Sequence, residues 1–155
     1  RRDLTGAELP VMTAARAEER DALARAGSDS PLLAPAREVA GSDLILVGAP
    51  YWDLSFPAAL KVCLEWASCL GITFRYTEEG AQVGMSRARA LVYVTTGGGR
   101  VRAQNLGYQY IQGGAAMMGG GETFCLAAEN LDVWGTDVEA ALTRAEGEAL
   151  LSLLP

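Results

Sequence analysis

The chain has 155 residues, half of them hydrophobic, with 13 basic against 19 acidic side chains and a formal charge of −6 at pH 7. That balance argues against nucleic acid or an anionic membrane surface as partner, because both require a basic patch, and makes a small molecule the expected ligand. No apolar stretch reaches the roughly 18 residues of a membrane span and no basic-then-apolar segment opens the chain, so a single domain over residues 1–155 and a cytoplasmic location are expected.

The sequence has no histidine, and its three cysteines lack Cys-x-x-Cys spacing. This removes the usual zinc arrangements and any Ser-His or Cys-His nucleophile pair; no metal is expected. Cys63 and Cys69 fall on one expected helix about 120° apart, so they cannot bridge, and all three thiols read as buried and reduced.

In chain order, Thr13 to Ala26 is rich in Ala, Glu and Arg and suits a solvent-facing helix. A turn cluster, Gly27 to Pro31, leads to a short helix over Leu32–Ala40 with Leu32, Leu33, Ala36 and Val39 on one face. The unbroken apolar run Leu44–Val47, bounded by Gly48 and Pro50, predicts a parallel strand covered on both faces. In such sheets ligands bind beyond the carboxyl ends of the strands, where Tyr51, Trp52 and Asp53 follow. Pro57 marks the first turn of the next helix, with Ser55 or Phe56 as cap, Leu60, Cys63, Leu64 and Ala67 as its inner stripe, and Gly71 after its end.

Ala90–Val94 predicts a second buried strand, which breaks into the small-residue loop Thr95-Thr96-Gly97-Gly98-Gly99. A helix over Ala103–Met118 carries apolar Leu106, Tyr110, Ala115 and Met118, is loosened by Gly113 and Gly114, and stops at Gly119-Gly120-Gly121. Thr123–Ala128 is a third strand, and Thr136-Asp137-Val138-Glu139 reads as a capping box opening a helix striped by Val138, Leu142, Ala145 and Ala149. This alternation specifies a parallel α/β sheet. A doubly wound sheet normally has a central first strand followed by a phosphate-holding loop. No such segment precedes Arg1-Arg2-Asp3-Leu4, so an N-terminal β-α unit is expected to be missing, with Arg1–Leu4 as the tail of the second strand.

Two adjacent strands that each end in a candidate loop make one crevice. A flavin ring is a flat, largely apolar plate with a polar edge, and it needs an apolar wall plus backbone N–H groups facing that edge. Trp52 and Leu54 can wall such a ring, while the amides around Asp53 and of Gly97, Gly98 and Gly99 can face its polar edge, glycine letting the main chain come close. Each element also has an ordinary explanation: Tyr51 and Trp52 as packing at the sheet edge, three glycines as a flexible turn, Asp53 as an acid favoured at a helix N-terminus.

The segment Ala49-Pro50-Tyr51-Trp52-Asp53-Leu54-Ser55-Phe56-Pro57 through Leu60-Lys61, followed by Gly71-Ile72-Thr73-Phe74-Arg75-Tyr76-Thr77-Glu78-Glu79-Gly80, resembles the flavodoxin-like FMN-dependent NAD(P)H oxidoreductases of the azoreductase and quinone-reductase type. The resemblance spans most of the chain. It implies a five-stranded parallel sheet in the order 2-1-3-4-5 with its first strand outside this chain, a homodimer with FMN near the subunit interface, and hydride passed from NADH or NADPH through FMN to quinone or azo acceptors. By position it implies that Pro50, Tyr51, Trp52, Asp53 and Leu54 contact the ring, that Thr95, Thr96, Gly97, Gly98 and Gly99 hold its pyrimidine side, and that Tyr76 and Gly114 belong to the substrate pocket. Tyr51 to Leu54 replace the Met-Tyr-Asn-Phe common in the family, Gly97 stands where arginine is common, and Gly114 where an aromatic often lies. Two other readings remain open: an FMN-holding electron carrier that uses no nicotinamide, and a flavin-less structural or regulatory dimer.

Overall fold

The computed structural model describes residues 1–6 and 9–153. Helix α1 spans Ala14–Arg25, opened by Thr13, whose hydroxyl accepts from the Arg16 amide, and none of its residues is buried. After a single 3₁₀ turn at Pro31–Leu33, α2 runs over Ala34–Gly41 and buries Pro35 and Ala36. Strand β1 follows at Leu44–Gly48, then α3 at Ala58–Ala67, β4 at Ala90–Thr96, α4 at Leu106–Met118, β5 at Glu122–Ala128 and α5 at Val138–Leu153. Between α3 and β4 lies a hairpin of β2 (Phe74–Tyr76) and β3 (Gln82–Gly84).

β1, β4 and β5 form a three-stranded parallel sheet in the order β1-β4-β5, with Leu46 beside Val92 and Val94 beside Leu126. One face of it carries the main core: Leu91 and Tyr93 of β4, with Ile45, Val47 and Cys125 alongside, pack against Phe56, Leu60, Ile111 and Ala115. This sheet is the last three strands of the expected order. The hairpin was not foreseen. It is fixed where Gly84 meets the left-handed cap of α4: a Cβ on Gly84 would stand 2.2 Å from the Gly119 amide nitrogen.

Several expectations need correction. β1 is not covered on both faces. It is an edge strand among the described residues, and Leu44 and Leu46, 53% and 69% exposed, share a face with half-open Val94 while Ile45 and Val47 turn to the core. An apolar run records what a strand tolerates; the cover itself comes from other elements. Arg1–Leu4 forms no strand, although Leu4 packs against the main core and Arg2 grips Glu38 through two hydrogen bonds of 2.9 and 2.8 Å.

The cap of α3 is Pro57 itself, without a side-chain bond, and the helix stops at Ala67, which leaves Cys69 outside it. α4 starts three residues later than expected, after a 3₁₀ turn at Arg102–Gln104; Leu106 and Tyr110 face outward, while Ala115 and Met118 are buried as expected, together with Gly107 and Ile111 on one face at 100° per residue. At α5 the cap is Asp137 rather than Thr136: its carboxylate accepts from the Ala140 amide at 3.0 Å. Val138 and Leu142 of that helix are largely exposed. No helix among the described residues is long and apolar enough to cross a membrane.

Candidate functional site

The site is built where β1 and β4 end side by side. Backbone pairing continues past both strands, with the Ala49 amide on the Val94 carbonyl at 3.0 Å and the Tyr51 amide on the Thr96 carbonyl at 2.9 Å. The chain then reverses in a tight turn closed by reciprocal bonds between Trp52 and Ser55, of 3.1 and 2.8 Å. Its two central residues, Asp53 (φ 49°) and Leu54 (φ 67°), are both left-handed. That pattern favours glycine or asparagine, and for L-residues it costs on the order of 1–2 kcal/mol each.

The start of α4 holds the turn in place. The Leu106 amide donates to the Leu54 carbonyl at 3.0 Å, and Gly107 lets the helix approach so closely that a Cβ there would lie 2.9 Å from the Phe56 ring and 3.1 Å from Ser55 Cα. The Tyr51 hydroxyl donates to the Gln104 carbonyl at 2.9 Å. Backbone strain of this kind, over-determined by its surroundings, marks binding sites more often than structural loops.

The second loop is equally tied. Gly97 donates to the Ala128 carbonyl, while the carbonyls of Gly97, Gly98 and Gly99 accept from Leu131, Asp132 and Asn130 at 3.1, 3.0 and 3.0 Å. The Glu129 carboxylate accepts from the amides of Val101 and Arg102. Three chain segments therefore converge at the carboxyl end of the sheet. What they leave unspent is informative: the N–H groups of Asp53, Leu54, Gly98, Gly99 and Arg100 find no acceptor among the described residues. Beside them Trp52 is 60% exposed and Leu54 is also open. An apolar and aromatic surface next to unsatisfied backbone donors suits the edge of a planar heterocycle rich in acceptor atoms.

Beneath the loops, Tyr93 and Thr95 lie on one face of β4 with both hydroxyls buried and without a partner in hydrogen-bonding geometry among the described residues. Burial pushes the Tyr93 phenol up, and nearby Thr95 moderates the push. Burial likewise pushes the thiols of Cys63, Cys69 and Cys125 above their ordinary range, so none is an activated nucleophile, and Cys125 accepts weakly from Asn105 Nδ2 at 3.6 Å. The chemistry this geometry offers is binding and orientation, with the reacting atoms supplied by a bound group.

The model of the family described as having a flavodoxin-like fold matches residues 1–150. The chain belongs to this flavodoxin-like family. Among curated relatives, the FMN-dependent NADH:quinone oxidoreductase 2 of Clostridium acetobutylicum is 36% identical over 121 residues, covering 75% of this chain and 60% of the relative. The FMN-dependent NADH:quinone oxidoreductase of Caldicellulosiruptor saccharolyticus is 32% identical over 129 residues, covering 80% and 64%. The chain thus spans about 60% of the length of the curated relatives it matches. Two solved structures share its fold: an azoreductase from Bacillus anthracis (TM-score 0.72, 23% identity, 96% of this chain and 77% of that one) and an FMN-dependent NADH-azoreductase from the same species in complex with FMN (TM-score 0.76, 14% identity, 97% and 77%).

In this flavodoxin-like chain, the residues singled out in the sequence divide in two. Pro50 through Leu54 and Thr95 through Gly99 are together at one end of the sheet. Tyr76 and Gly114 are elsewhere. Tyr76 is exposed on the hairpin, whose Gly84 and Gln82 pack against the last turn of α4, the end remote from Leu106. Gly114 lines an apolar cavity of about 440 Å³ between α3 and α4, with Leu64, Tyr110 and Met117. Sequence reasoning missed Glu129, Asp132 and Tyr93. Only Glu129 had a signal, an acid immediately after an apolar strand; Asp132 is brought over Gly98 by the loop pairing, and Tyr93 by the pleat.

Proposed function

We propose that this chain acts as an FMN-dependent oxidoreductase of the cytoplasm, passing hydride from NADH or NADPH through FMN to quinone or azo acceptors. One observation carries the reading. Two loops clamped together by the Tyr51–Thr96 hydrogen bond present Trp52, Leu54 and five unspent N–H groups at the mouth of a parallel sheet. The names of the curated relatives point the same way.

When bound, FMN supplies the hydride relay. The chain's own residues have simpler tasks. Trp52 and Leu54 would offer the apolar wall, and the amides of Asp53, Leu54, Gly98 and Gly99 would donate to acceptor atoms of the ring, with Thr95 and Thr96 at the end of β4 and Pro50 and Tyr51 setting the entry of the turn. Because no side chain here is a poised acid, base or nucleophile, the loops contribute orientation and exclusion of water.

A homodimer fits the same reading. The cavity between α3 and α4 is apolar and open beside exposed Leu106 and Tyr110, a surface suited to a second copy. Tyr76 and Gly114 would serve the substrate mouth only through such a partner, since neither is at its own chain's loops.

The test is a titration of the chain with lumiflavin and with FMN, followed by anaerobic addition of NADH. Lumiflavin carries no phosphate and so reports on ring recognition by these loops alone. Saturable quenching of its fluorescence and bleaching of bound FMN by NADH are expected. Absence of quenching with either flavin overturns the assignment, and binding without bleaching leaves an electron carrier.

A further inference from the structure

Asp53 carries a carboxylate beside its unspent amide. Its side chain is exposed at the first left-handed position of the Trp52–Ser55 turn, and no cation among the described residues pairs with it. Asp132 lies over the other loop, where a Cβ on Gly98 would stand 2.1 Å from its Oδ2 and 2.8 Å from its Cγ, and it too has no cation partner among the described residues. Glu129 is committed to the amides of Val101 and Arg102. Of the two arginines here, Arg102 is paired with Glu148 and Arg100 makes no ion pair among the described residues. Gly97, where the resembling family commonly has arginine, brings no charge. Each loop therefore has a carboxylate beside it, Asp53 or Asp132, that makes no ion pair among the described residues.

Resting on the flavin reading above, we propose that Asp53 tunes the site against the reduced cofactor, so that FMN bound here has a lower reduction potential than free FMN. Reduction places two electrons from the donor and one proton on the ring and leaves a net negative charge on its pyrimidine edge. A carboxylate close to the ring would raise the energy of that anion and leave the neutral oxidised ring nearly untouched. The left-handed turn suits this role, because aspartate tolerates φ above zero through its short polar side chain and needs no salt bridge to stay in place. The consequence is a stronger reductant, suited to acceptors that are hard to reduce.

The experiment compares dissociation constants of oxidised FMN and of dithionite-reduced FMN, measured anaerobically, for the wild-type chain and for Asp53→Asn. Asparagine tolerates the same backbone region, so the turn survives the change. The wild type should bind reduced FMN more weakly than oxidised. In Asp53→Asn the reduced-to-oxidised ratio should fall about tenfold, which for a two-electron couple is a rise of about 30 mV. About 1 M NaCl should shrink the difference between the two proteins, since an exposed charge is screened.

An unchanged ratio in Asp53→Asn, or wild-type preference for the reduced form, overturns the proposal while the flavin reading stands. A difference that persists undiminished in salt also overturns it, assigning the effect to turn geometry. Failure of oxidised FMN to bind at all removes the flavin reading and this inference together.

Discussion

The Tyr51 amide donates to the Thr96 carbonyl at 2.9 Å, beyond the last register pair of β1 and β4, Gly48 and Val94. This bond makes one surface of two loops. Gly97, immediately after Thr96, then lies so near Tyr51 that a Cβ there would be 3.6 Å from the tyrosine Cβ.

Trp52 and Trp66 should respond oppositely to truncation. Trp52 is mostly exposed, so Trp52→Ala should leave thermal stability nearly unchanged and weaken lumiflavin binding by about 0.5–1.5 kcal/mol. Trp66 is fully buried and donates to the Pro10 carbonyl at 2.8 Å, so Trp66→Ala should cost about 3–5 kcal/mol in urea unfolding. Unchanged lumiflavin affinity in Trp52→Ala would assign the indole to some other contact.

Glycines of the second loop should differ sharply from one another. A Cβ on Gly97 would be 2.4 Å from Cγ2 of buried Val101, whereas one on Gly99 meets nothing within 4 Å. Gly97→Ala should destabilise by about 1–3 kcal/mol through overpacking, and Gly99→Ala should be nearly neutral, as read by chemical denaturation.

Gly113 is an exposed residue in the interior of α4 with nothing within 4 Å of a Cβ. Gly113→Ala should therefore stabilise the chain by about 0.5–1 kcal/mol by reducing the freedom of the unfolded state, raising Tm by a few degrees. A lower Tm with a smaller mass by light scattering would instead place that surface in a dimer contact.

The Arg2–Glu38 pair gives a pH signature. Hydrogen bonding from Arg2 holds the Glu38 carboxyl below its ordinary value of 4.5. A carboxylate lowered on folding stabilises the folded chain above the unfolded pKa, and this contribution is lost as pH falls through the folded one. Wild type should exceed Glu38→Gln by no more than about 1 kcal/mol at pH 7, since the pair is partly solvated, and the two should converge as pH falls through the lowered folded-state value, below the ordinary carboxylate range. Equal stabilities at pH 7 would show that the pair contributes nothing.

Local chemistry was legible in the residues. The positions of the three parallel strands followed from apolar runs, their alternation with helices from the period change, and the two loops from a break into Pro50–Leu54 and Thr95–Gly99; these depend on neighbours in sequence, whereas the short hairpin strands β2 and β3 left no such run. Tertiary structure decided the rest, because cover, clearance and electrostatic isolation belong to pairs distant in the chain. The same run Leu44–Val47 would suit a strand covered on both faces, yet here only one face is packed. The left-handed turn at Asp53 and Leu54 is held by Leu106 and Gly107 from another helix; aspartate tolerates that backbone region, but no local propensity of leucine encodes it. Likewise Asp132 reaches Gly98 only because three carbonyls of the glycine loop accept from the segment after β5. Sequence placed the donors and the indole at strand ends; the parallel pairing of β1 with β4 turned them toward the same space.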